Sequence, residues 1–168
     1  MCMSEVWDIY DKNKKRTGRI AQRGTALKNG EYHLVVFVWI QDTSGRYVIS
    51  KRWHDKQGGG MWETPAGSAL AGEESKQAAL REVQEEIGLF IPEDQLEYIK
   101  SVRYDTDNAW FADYYSYKGN IDLDALVCQD GEVQCVRWAS HDEIKEMMEN
   151  GTFFHSEFHY PNLVGEIF

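Results

Sequence analysis

Residues 67–89 read GSALAGEESKQAALREVQEEIGL, and this stretch decides the fold. It predicts a helix from Ser75 to Ile87, with Ser75 as N-cap and Gly88 as the C-terminal stop. Ala79, Val83 and Ile87 recur every four residues and form its buried stripe. Glu82, Glu85 and Glu86 fall at i, i+3 and i+4, so they share another face. Three carboxylates within one turn repel one another. They also sit near the helix C-terminus, where the dipole disfavours anions. Selection for stability alone does not explain that arrangement.

A hard divalent cation resolves the conflict. Mg²⁺ takes oxygen ligands, usually one or two carboxylates, and completes its shell with water and substrate phosphate. Arg81 beside the cluster can hold a carboxylate in a fork, with Glu73 as its partner. Gly67, lacking a side chain, lets a backbone carbonyl approach a metal. Taken as charges alone, the same residues also describe a solvated acidic helix face.

Working outward, His33–Ile40 is rich in β-branched and aromatic residues and reads as a buried central strand. Asp42–Gly45 has turn chemistry, and Arg46–Arg52 is the partner strand. Residues 54–60 form a loop ending in three glycines, and Trp62–Thr64 is extended before Pro65. Further strands are expected at Leu96–Asp105, Trp110–Tyr117 and Val133–Trp138. Ser140 with Glu143 makes a capping box for a helix to about Asn150. The aromatic tail from Thr152 should pack on the body. The fold class is therefore α/β in the α+β sense, a mixed sheet between helices. Lys12–Arg23 carries six positive residues and no acid. It reads as a solvated turn around Gly18, with a phosphate- or RNA-contacting arm as the other reading.

At 168 residues the chain suits one domain. Its formal charge of −10 counts against duplex nucleic acid as a partner, but not against a small phosphorylated ligand brought in with a cation. The longest apolar run, Leu34–Ile40, is far short of a membrane span, which needs roughly 20 residues. The first residues lack the basic-then-apolar pattern of a secretory leader. Cys2, Cys128 and Cys135 have no CxxC spacing and read as reduced thiols of a cytoplasmic protein.

The full spacing is Gly67-x5-Glu73-x7-Arg81-Glu82-Val83-x-Glu85-Glu86-x-Gly88-Leu89, and it resembles the Nudix box at every defining position. Such a coincidence at a given start has a probability on the order of 10⁻⁹. The resemblance implies an α/β/α sandwich and Mg²⁺- or Mn²⁺-dependent hydrolysis of a diphosphate linked to another moiety, usually a nucleoside. It implies that Glu82, Glu85 and Glu86 bind metal with the Gly67 carbonyl, and that Arg81, Glu85 and Glu86 serve catalysis. Residues 1–168 would be one Nudix domain, with 1–30 an N-terminal extension packed on it. The flanking SKRW (Ser50–Trp53) and GMWETPAG (Gly60–Gly67) also fit, apart from Ala66 where Gly is common.

The longer pattern, WDIYDKNKKRTG followed by EYHLVVFVWI, resembles the branch related to isopentenyl diphosphate isomerase. His33 could match a metal-binding histidine of those enzymes. Their Cys-Gly-His element, however, falls here on Pro65, Ala66, Gly67 and Ser68. The hydrolase set is complete and the isomerase set is not. An isomerase and a non-catalytic nucleotide-sensing module stay as the alternatives.

Lys51 and Arg52 end a strand facing the glycine loop and are candidates for substrate phosphates. Trp110 and Phe111, with Tyr114 beyond them, are candidates for stacking on a base. Gly58–Gly60 reads as a flexible turn. Glu132, after Gly131 and six residues before Trp138, resembles the place from which related hydrolases send one more glutamate to the metals. A homodimer is left open.

Overall fold

The computed structural model describes residues 5–163. Its centre is β3 (His33–Gln41), whose apolar residues alternate between two faces. β8 (Trp110–Lys118) runs parallel to it, with His33 opposite Trp110, and β7 (Glu97–Tyr104) pairs antiparallel with β8. On the other side β4 (Tyr47–Arg52) begins as a hairpin partner, with Gln41 opposite Tyr47. Asp42 shapes that turn by accepting from the backbone N–H of Ser44 and Arg46 at 2.9 Å each.

Beyond the turn, β3 and β4 separate, and the chain at 62–68 fills the gap. β5 (Trp62–Glu63) pairs with the end of β4, and β6 (Ala66–Ser68) pairs with β3. Pro65 leaves its carbonyl to Val38 N–H at 3.0 Å. β9 (Val133–Ala139) pairs antiparallel along β4. This splay sets Glu63 and Gly67 inside the sheet instead of on a loop.

α1 (Ser75–Ile87) covers one face through Ala78, Ala79, Val83 and Ile87, against Val36, Val38, Ile40 and Val48. α2 (His141–Glu149) and α3 (Ser156–Leu163) cover the other, where Phe37, Trp39, Ile49, Tyr114 and Phe153 pack. The result is an α/β/α sandwich around a mixed sheet. His159 is buried there against Tyr114 Oη at 3.1 Å, and burial pushes its pKa down to about 3. The described part of the aromatic tail packs on the body as expected, through Phe153, Phe158 and Leu163.

Two expectations are corrected. The basic 12–23 segment is largely exposed, but it is not a turn around Gly18: it contains β2 (Arg16–Gln22), paired with β1 (Val6–Tyr10). Four of its cations pair with acids from elsewhere, Arg16 with Asp8 and Glu74, Arg19 with Glu31, Arg23 with Glu5 and Lys14 with Asp113. The N-cap of α1 is Glu74, whose N–H donates to Gln77 Oε1 at 3.0 Å, and Ser75 is the first helical residue. His33 does lie at a strand start, but it is buried, stacked on Trp7 at 4.3 Å. Burial lowers its pKa to about 4. Cys2 lies outside the described residues. No helix among the described residues is long and apolar enough to cross a membrane.

Candidate active site

The loop before α1 is fixed from two sides. Ala71 N–H donates to Val6 O at 2.7 Å, and Gly72 N–H to Asp8 Oδ2 at 2.8 Å, so the β1–β2 hairpin clamps it. At the other end Gly88 takes the left-handed conformation with φ of 69° that closes the helix. The carbonyls of Glu86 and Ile87 are taken by Gln129 N–H and Val127 N–H at 2.9 and 3.1 Å.

Between these clamps Arg81 is the hub. It forks onto Glu73, with Nε to Oε1 at 2.8 Å and Nη2 to Oε2 at 2.9 Å, and Nη2 also reaches the Ser68 carbonyl at 3.1 Å. Nη1 meets Glu82 Oε1 at 2.8 Å and Glu85 Oε2 at 3.0 Å. Burial works against its charge, but Glu73 and Glu82 outweigh it and its pKa is raised. The Arg81–Glu73 pairing read from the sequence is present, and Arg81 also gathers two of the three helix-face acids.

Glu86 is 4% exposed, its Oε2 accepts from Ala66 N–H at 3.2 Å, and among the described residues no cation forms an ion pair with it. Burial, then the charges of Glu63 and Glu82, push its pKa well above the ordinary carboxylate value. Glu82 is pushed up to about 7 by burial, against the pull of Arg81. Its carboxylate lies where a Cβ on residue 67 would be, so only glycine lets α1 and β6 approach this closely. Glu85 is half-exposed at the rim. Among the described residues no three acids converge into finished metal-ligand geometry, since Arg81 draws Glu82 and Glu85 to itself.

The remaining candidates separate. Arg52 and Lys51 are neighbours on a strand and face opposite ways. Arg52 lies on the α1 side, with Nη1 2.5 Å from Glu63 Oε2, Nε donating to Gln57 O at 2.8 Å, and its guanidinium 3.8 Å over the Phe154 ring. Lys51 lies over Trp62 at 5.9 Å on the α2–α3 side, away from the carboxylates. Trp110 and Phe111 are both buried and belong to cores on opposite faces of the sheet, so they offer no shared stacking surface. Glu132 reaches the right corner, but Lys56 holds its carboxylate and it is 40% exposed.

Glu63 was missed by sequence reasoning. It is 5% exposed, and burial raises its pKa to about 7 against the pull of Arg52. The only sequence signal was an acid in an otherwise apolar strand start, two residues before Pro65.

Comparison with known proteins agrees with this architecture. The model of the NUDIX domain matches residues 31–159. An uncharacterised Nudix hydrolase of Listeria monocytogenes is 37% identical over 151 residues, covering 89% of this chain and 88% of that protein. A crystal structure from Deinococcus radiodurans superposes with a TM-score of 0.70 at 16% identity, over 89% of this chain and 91% of that one. A bifunctional NMN adenylyltransferase/ADP ribose pyrophosphatase of Francisella tularensis, complexed with AMP and a manganese ion, gives 0.65 at 16% identity, over 86% of this chain and 43% of that one. The chain belongs to the Nudix family, and its named homologues place it among the Nudix hydrolases.

Proposed function

We propose that this chain, working as one domain, is a divalent-metal-dependent hydrolase that cleaves the pyrophosphate bond of a nucleoside diphosphate linked to another moiety. The observation that carries this reading is the pair of acids, half-buried Glu82 and buried Glu86, seated against the backbone of residues 66–67 with no ion-pairing cation beyond Arg81 among the described residues. Leaving buried carboxylates short of positive charge is costly, and a hard cation supplies it.

The residues fit such an ion. All donors are oxygens, and the Gly67 position is a cradle that a side chain would fill. Glu82, Glu85 and Glu86, with the Gly67 carbonyl, would hold Mg²⁺ or Mn²⁺. The ion would polarise the diphosphate and lower the pKa of water. Arg81 keeps α1, Glu73 and β6 in register, and would release Glu85 and Glu82 when a cation competes for them. Arg52 keeps Glu63 in place. A nucleotide derivative as substrate is carried over from the Francisella neighbour with AMP and manganese.

The isomerase alternative needs a reactive thiol. Residues 65–68 provide none, and the two described cysteines lie by β9, with burial raising the Cys128 thiol away from reactivity. The functional reading is tested by a hydrolysis screen over nucleoside di- and triphosphates, sugar nucleotides, ADP-ribose and dinucleoside polyphosphates, with products identified by ³¹P NMR. Metal-dependent release of phosphorylated products is expected. Conversion of an allylic diphosphate without cleavage, or ligand binding without turnover, would replace it.

A further inference from the structure

Pairing of Ser50 with Glu63 across β4 and β5 turns both side chains toward α1. Glu63 is thereby locked inside the splayed sheet, three residues before the Ala66 N–H that holds Glu86. Its Oε2 is fixed by Arg52, itself held by the Gln57 carbonyl and the Phe154 ring. Its Oε1 is buried and has no hydrogen-bond partner among the described residues. A buried acceptor left open is costly, more so when charged, and such a group calls for an explanation in function. Glu63 and Glu86 are both buried on the α1 side of the sheet, Glu86 held by Ala66 three residues after Glu63, so Glu63 borders the acid cluster.

We propose that Glu63 is the carboxylate outside the metal-binding set that holds the attacking water and takes its proton. This rests on the hydrolase reading above. The water O–H bond breaks and its proton passes to Glu63 Oε1. The water oxygen bonds to phosphorus, the bridging P–O bond breaks, and its electron pair leaves with the departing phosphate, which then recovers the proton. Arg52 is a positioning residue for this step, because it fixes one oxygen and leaves the other free. Glu132 suits the role less well, being bound by Lys56 and open to solvent.

A purely structural Glu63 would serve only to anchor Arg52, and aspartate would still carry the charge for that. The test is therefore Glu63→Gln and Glu63→Asp in the full chain, with the best substrate from the screen and Mg²⁺. In Glu63→Gln, kcat should fall by roughly 10²–10⁴. In Glu63→Asp it should fall at least about tenfold, with KM within about threefold in both. The rise in melting temperature on adding Mg²⁺ should be retained in both variants. Near-normal kcat in either folded variant overturns the proposal, as does loss of the Mg²⁺ response, which would make Glu63 a metal ligand. If Glu63→Gln does not fold, Glu63→Asp decides alone. A wild type that hydrolyses no diphosphate removes the hydrolase reading and this one with it; an active wild type with an active Glu63→Gln removes this one only.

Discussion

The two ends of α1 each have a buried acid packed beneath them, and the two acids are treated in opposite ways. Under the N-terminus, Asp113 of β8 is 1% exposed and both its oxygens are spent. Lys14 binds Oδ1, Ser75 Oγ donates to Oδ2 at 2.5 Å, and Tyr115 Oη backs Ser75 at 2.8 Å. The helix dipole favours an anion there. Near the C-terminus the dipole is unfavourable, yet Glu86 and Glu63 are buried together with one guanidinium on Glu63 and one open oxygen. A buried acid that serves stability is fully bonded at the positive end. The pair at the negative end is left short of partners, which is the arrangement that the proposed cation and water would complete.

The contrast breaks most visibly at Glu86. Glu86→Gln should lower turnover by about 10³-fold or to the level seen with EDTA, while the protein stays folded, because Gln keeps the contact with Ala66 N–H. Asp113→Asn should do the reverse. Breaking a buried ion pair costs about 3–5 kcal/mol, so the melting temperature should drop by roughly 10 °C while turnover per folded molecule holds. If Asp113→Asn removes activity at full stability, the two ends are not divided as described.

A third test uses pH in the presence of EDTA. Burial raises the Glu86 pKa in the folded state, so its ionisation disfavours folding. That penalty is absent below its ordinary value of 4.5 and grows as pH rises toward the folded-state value. Glu86→Gln does not titrate there, so it should melt above wild type at pH 8 by a few degrees, with the gap closing by pH 5. A gap that is constant with pH would show that Glu86 is not ionised against its environment. The smallest effect is expected at Glu132. Its carboxylate is occupied by Lys56, so Glu132→Gln should change kcat by less than about tenfold. A larger loss would move the proton acceptor from Glu63 to Glu132.

Much of the α1 end of the site was legible because it is local. Helix periodicity alone places Glu82, Glu85 and Glu86 on one face, and the stop at Gly88 follows from its left-handed backbone. What depends on pairing across the sheet was not legible. Glu63 is defined by its register with Ser50 and by the separation of β3 from β4, neither of which sequence spacing encodes. Lys51 and Arg52 look equivalent as a dipeptide, but the pleat sends them to different faces. The ion pairs of Lys14, Arg16, Arg19 and Arg23 were not legible because the acids that make them, Glu5, Asp8, Glu31, Glu74 and Asp113, lie outside the basic run. Trp110 and Phe111 read as a pair for the same reason, and alternation along β8 divides them between two cores.

The claim that the C-terminal end of α1 is built for a divalent cation is tested most directly by thermal melting with and without Mg²⁺ in three proteins. Wild type and Asp113→Asn should both gain stability from the ion by mass action, whatever their starting melting temperatures. Glu86→Gln should gain little or nothing. An equal Mg²⁺-induced rise in Glu86→Gln and wild type would contradict the account and place the cation elsewhere.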